Sequence, residues 1–202
     1  MESTGLDSDN NDIIEFGAVF DDLNDMKLIE ELPRFHCYFL PPDGDSYTGQ
    51  PYALSMHPTI FRRIAEREEP YTYVHPRKFG FMFRKWLVDT CKYVEEHDRV
   101  TINVAGKNFG VCDYQFITKK TDLDKHVKIR HKMIDPASYF LEEGDESLPG
   151  LGLCKGRLIS RTGAKLPTEV DHTAVEDALD VVSLVRYALA KVGRKQKYLL
   201  ER

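Results

Sequence analysis

Ile13-Ile14-Glu15-Phe16-Gly17-Ala18-Val19-Phe20 is the stretch that decides how this chain folds. It is short, almost wholly apolar and followed by the turn-prone Asp21-Asp22-Leu23-Asn24-Asp25, so it reads as a β-strand with a sharp end. Pro33 to Leu40 then alternates apolar and polar residues toward Cys37-Tyr38-Phe39-Leu40, and Pro41-Pro42-Asp43-Gly44-Asp45 stops it. The two runs predict an antiparallel hairpin. A hairpin in a larger sheet needs a further partner, and Met1-Glu2-Ser3-Thr4 looks like the tail end of one.

On the C-terminal side, a loop rich in Pro, Gly and Tyr is expected through about Ser55. Pro58 opens a helix, because its fixed φ suits a first helical turn, with Ile60, Phe61 and Ile64 as the buried stripe. A longer helix is expected from Pro76 to His97, with Phe79, Phe83, Leu87, Cys91 and Val94 at three- and four-residue spacing. Val100 to Ala105 reads as a buried strand ended by Gly106, and Cys112 to Lys119 as a helix. Glu142 to Gly163, with several glycines, is expected as a long surface loop. A last helix spans about Ala174 to Val192, with Ala178, Val181, Val182, Val185 and Leu189 on one side. This order predicts an α/β domain, a mixed β-sheet flanked by α-helices. At 202 residues one core suffices, so residues 1–195 are expected as a single domain and 196–202 as a tail.

Composition narrows the partners. Apolar residues at 42% and charged residues at 30% fit a soluble globular chain. No apolar run approaches the roughly 20 residues that span a bilayer, so no membrane partner is expected. The start has no basic and apolar leader, and Cys37, Cys91, Cys112 and Cys154 are scattered without CxxC spacing. Isolated thiols of this kind fit a reducing cytoplasm, as small buried hydrophobes. A net charge of −5 excludes a generic polyanion binder. Local basicity is confined to Lys119, Lys120, Lys125, Lys128, Arg130 and Lys132, a segment whose plain reading is a solvated face.

Three acidic segments carry chemistry when taken together. Glu2-Ser3-Thr4-Gly5-Leu6-Asp7 precedes the Ile13 strand; Ala105-Gly106-Lys107-Asn108-Phe109-Gly110-Val111-Cys112-Asp113-Tyr114-Gln115-Phe116 runs on from the Val100 strand; His172-Thr173-Ala174-Val175-Glu176-Asp177-Ala178 opens the last helix. Singly each has a plain reading: Glu2 solvated, Asp113 an N-cap, His172 a structural histidine, Phe116 core. In this order they resemble the three motifs of the DEDD exonuclease superfamily. The first is similar to D-x-E-(T/S)-T-G-L with its I-I-E-(F/I)-G-A strand, and the second to N-x-x-x-x-D-x-x-F. The third matches H-x-A-x-x-D-A, the signature of the histidine subtype.

The resemblance implies an RNase H-like sheet and a 3′→5′ exonuclease that shortens single-stranded nucleic acid, RNA or DNA. It implies Glu2, Asp113 and Asp177 as ligands of two Mg²⁺ or Mn²⁺ ions, since hard cations take oxygen donors. His172 becomes the general base, with an ordinary pKa of about 6.5. Thr4 and Gly5 match positions that approach the terminal nucleotide through the backbone, Leu6 an apolar wedge beside the last base, and Asn108 a pocket residue. Some relatives of the oligoribonuclease kind are homodimers, so a homodimer is an expectation here.

The family's first aspartate falls two residues before its glutamate, a position that here precedes Met1. Asp7 and Asp9 lie past the turn at Gly5 and do not replace it. Two readings stand: the sequence starts late, at an internal methionine, which the missing first strand favours, or one metal ligand is lost. The second would leave a catalytically impaired nucleic-acid-binding module.

Overall fold

The computed structural model describes residues 1–164, 166 and 173–191. Ile13–Val19 is strand β2, and Arg34–Phe39 is β3. They pair antiparallel, with Glu15 opposite Tyr38 and Val19 opposite Arg34. Ahead of them, β1 (Glu2–Ser3) runs antiparallel to β2, with Glu2 opposite Glu15 and an irregularity before Ser3. Beyond them, β4 (Tyr73–Val74) joins β3 in parallel, which makes a small mixed sheet in the order β1-β2-β3-β4. The expected hairpin and its short N-terminal partner are both present, in a mixed α/β chain.

Alternation along β2 and β3 divides the core in two. Phe16, Phe35, Cys37 and Phe39 face helix α3 (Pro76–Asp89) and its Phe79 and Phe83. The Phe16 ring meets Phe79 edge-on at 4.9 Å and Phe83 at 5.4 Å, geometry that favours aromatic pairs beyond their buried area. Glu15, Gly17 and Val19 face α7 (Ala174–Lys191) instead. At Gly17 an added Cβ would stand 2.4 Å from the backbone of Ala174 and Val175, so only glycine lets the helix lie this close.

Four expectations need correction. Pro51–Met56 is a short helix, α1, within the stretch expected as loop; Pro51 stands at its first turn, where a missing N–H costs nothing. It leads through His57 into α2 (Pro58–Glu66), which buries Ile60 and Ile64 and only partly covers Phe61. The helix from Pro76 ends at Asp89, not His97: Lys92, His97 and Asp98 take positive φ, and Val94 is exposed. Apolar spacing continued past the point where the backbone turned.

The Val100 strand is shorter than expected. β5 covers Val100–Ile102 and pairs in parallel with β6 (Val127–Ile129), apart from the four-stranded sheet; Ala105 makes only an isolated bridge to Ile134. Last, the expected surface loop from Glu142 to Gly163 contains helix α6 (Leu151–Thr162). It buries Cys154 and Leu158 against Phe140, Leu184 and Tyr187 and stops at Gly163 in the left-handed conformation.

Asp113–Lys120 forms α4 and Leu123–His126 forms α5. Phe116 is core, as its plain reading had it. Cys37, Cys91 and Cys154 are buried free thiols, whereas Cys112 is exposed. Among the described residues no helix is long and apolar enough to cross a membrane. The expected tail, 196–202, lies outside the described residues.

Candidate functional site

The three acidic positions come from three elements. Glu2 lies on β1, Asp113 is the first residue of α4, and Asp177 sits in the first turn of α7. Glu2 is paired with Glu15, so its side chain projects toward the α7 face of the sheet. Asp113 is not the N-cap of α4: that position is Cys112, which makes no side-chain cap bond. Asp113 and Asp177 both line a cavity of about 850 Å³, together with Met1, Gly106, Phe109 and Ala174. Of the sequence-predicted acids, none is stranded on a remote surface.

Electrostatics register their proximity. Burial is the main cause that pushes the Glu2 carboxyl up to about 7; the Met1 ammonium pulls it down, and Asp177, Glu15 and Asp113 push it further up. Asp113 is also raised, first by burial, with the Met1 ammonium opposing. That ammonium lies 3.7 Å from Asp113 Oδ1. His57, buried between α1 and α2, places Nε2 3.4 Å from Glu2 Oε2. The Met1 ammonium and the His57 imidazole thus sit where carboxylates crowd.

The segment after Glu2 is held tightly. Thr4 is fully buried; its N–H donates to the Asp12 carbonyl at 2.9 Å, and its carbonyl accepts from Gln50 N–H at 2.8 Å. Its hydroxyl accepts from Asp12 N–H at 2.8 Å. Both backbone groups of Thr4 are therefore engaged inside the protein. Gly5 is buried against the Asn11 side chain, where a Cβ would stand 2.2 Å from Oδ1. Leu6, next in line, is 89% exposed and projects into solvent. Asn108 takes φ 55° in the turn before α4, donates its N–H to Asp135 Oδ2 at 2.9 Å and accepts from Lys107 Nζ. His172 lies outside the described residues.

Two residues that sequence reasoning left without a role stand in this site. Glu15 is 1% exposed: Oε1 lies 2.7 Å from His36 Nε2, and Oε2 accepts the Ala174 N–H at 3.0 Å. The signal for it was a lone charge inside an apolar strand. His57 had only its position before Pro58. The basic segment, by contrast, is partly committed elsewhere. Lys119 Nζ lies 2.8 Å from Asp9 Oδ1, and Lys120 reaches the Asp9 carbonyl and Asp12. Those two lysines brace the 8–12 turn.

Whether these residues suit divalent cations turns on donors and spacing. The donors fit: Asp113 and Asp177 line one cavity, and Glu2 is raised first by burial and then by Asp177, Glu15 and Asp113, so a cation would relieve the charge that these carboxylates add. The spacing is looser, since among the described residues no three His, Cys, Asp or Glu side chains are gathered as a metal-binding group. A comparison with protein-family models gives no match, and a comparison with curated proteins gives none.

Proposed function

We propose that this chain is a metal-dependent 3′→5′ exonuclease of single-stranded nucleic acid, built on an RNase H-like fold and belonging to the histidine subtype of the DEDD superfamily. One observation carries the reading: Glu2, Asp113 and Asp177 start 64 or more residues apart along the chain, yet sit close enough for Asp177 and Asp113 to raise the Glu2 carboxyl. The antiparallel hairpin, the parallel β5–β6 pair and a long closing helix support the fold assignment.

In this reading Glu2, Asp113 and Asp177 hold two Mg²⁺ or Mn²⁺ ions. Bound there, the ions supply charge neutralisation at the scissile phosphate and a more acidic water. His172, five residues ahead of Asp177 in the sequence, would act as the general base that accepts a proton from the attacking water. Leu6, exposed at the turn after Glu2, would meet the terminal base, and Asn108 stands between Lys107 and Phe109 of the cavity lining. Thr4 and Gly5 shape this edge from within. Four free cysteines suit a cytoplasmic setting.

The test uses 5′-labelled RNA and DNA strands, with Mg²⁺ or Mn²⁺ and with chelator. Stepwise metal-dependent shortening from the 3′ end is expected, and Asp177→Ala and His172→Ala should reduce it to the chelator background while the fold survives. Full activity in either variant would refute the assignment. A second reading, a binding module without catalysis, draws on the loose carboxylate spacing among the described residues. Strand binding without shortening selects it.

A further inference from the structure

Glu15 does not belong to the proposed ligand set, yet it is one of the most deeply buried charges in the described chain. A carboxylate kept out of water costs several kcal/mol unless its oxygens are satisfied. Both are. His36, on the neighbouring strand, places Nε2 2.7 Å from Oε1, within hydrogen-bond distance. Oε2 accepts from Ala174 N–H at 3.0 Å. Ala174 is the first residue of α7, so Glu15 satisfies a helix-end amide that has no partner within the helix and complements the positive end of the helix dipole.

Two residues further on, Gly17 admits the backbone of Ala174 and Val175 to a distance that no side chain would allow. Residues i and i+2 of a strand share a face, so Glu15 and Gly17 form one seat: a carboxylate that grips the first amide and a gap that receives the turn. Glu2 is paired opposite Glu15 on the same face, and Asp177 lies three residues into the helix that the seat holds. We infer that Glu15 is a positioning residue that fixes the first turn of α7, and with it Asp177, against Glu2. This rests on the proposed metal-binding role of Glu2 and Asp177 for its functional consequence, though not for its structural one.

The experiment compares the unaltered chain with Glu15→Ala and Glu15→Gln, in two readouts. Amide exchange at Ala174 and Asp177 reports the seat, with the amides of Tyr38 and Leu40, hydrogen-bonded to Thr72 and Val74, as the check that the sheet persists. Mn²⁺ affinity, from loss of the free-ion paramagnetic signal, reports the acidic cluster. In Glu15→Ala, exchange at Ala174 and Asp177 should accelerate while Tyr38 and Leu40 stay protected, and Mn²⁺ affinity should fall about tenfold or more, the size typical of outer-shell changes. Glu15→Gln keeps an acceptor for Ala174 and should restore protection and bring affinity back to within about threefold of the parent. Unchanged exchange in Glu15→Ala, unchanged affinity, or a glutamine variant as impaired as the alanine one would overturn the inference. If the unaltered chain takes up no Mn²⁺, the metal reading falls, while the exchange comparison still decides the seat.

Discussion

Glu2 concentrates the chemistry of a single residue. Its carboxyl is held near 7 against an ordinary 4.5, chiefly by burial and then by Asp177, Glu15 and Asp113, with the Met1 ammonium opposing. Between those two values the folded chain keeps a proton that the unfolded chain has released. The sign follows: this carboxyl is neutral at no cost below the window, and its contribution turns unfavourable as pH rises through it. In metal-free buffer, thermal stability should therefore decline from about pH 4.5 to about 7 by an increment that Glu2→Gln removes. A divalent cation needs the deprotonated form, so Mn²⁺ should raise the melting temperature more at about pH 8 than at about pH 5.5. Equal increments at both pH values would argue that Glu2 is not a ligand. The residue itself was legible in the sequence, because it stood in a recognisable motif. Its burial, and the company of Glu15 and His57, were not, since both depend on which strands and helices pack above it.

At the scale of elements, periodicity served where one face is apolar and failed where burial came from elsewhere. β2, β3 and α4 stand within a residue or two of their expected spans, and α2 opens at Pro58 and α7 at Ala174 as expected. α3 stopped early because its apolar spacing persisted through Cys91 and Val94 after the backbone had left the helix. α6 was missed for the opposite reason: Gly152, Gly156 and the flanking Gly150 and Gly163 depress helix propensity, and packing overrides them. Leu158, fully buried where α6 meets α7, measures that packing. Leu158→Ala should cost about 2–5 kcal/mol in denaturant unfolding, the range for a buried leucine that leaves a cavity. A cost below about 0.5 kcal/mol, the level of an ordinary surface change, would mean that α6 contributes little to the fold.

Across the whole molecule, a long-range ion pair ties the last helix to the turn that follows β2. Arg186 is fully buried, and its Nε and Nη2 atoms donate to the two oxygens of Asp21 at 2.8 and 2.7 Å. The bond joins residues 165 positions apart, from just past β2 to the C-terminal half of α7. Arg186→Ala leaves Asp21 mostly buried without this partner and should destabilise by roughly 3–5 kcal/mol. The pair Arg186→Met with Asp21→Leu should recover most of that, since an apolar replacement removes both charges together. A double variant as unstable as the single one would show that the arginine acts through packing alone.

The sequence by itself determined the hairpin, the helices at Pro58 and Ala174, and the order of three acidic segments. Those signals are local: alternation, helical spacing, a proline at a first turn, a motif within ten residues. Only the tertiary structure decided that Glu2, Asp113 and Asp177 share one region, and that Glu15 and Gly17 seat the helix bearing Asp177. It also withdrew Lys119 and Lys120 from the basic segment, by bracing them on Asp9 and Asp12. The physical reason is the same in each case. A residue's type and spacing fix which face it can occupy, whereas burial, the charges around it and the amide it grips depend on elements far away in the chain.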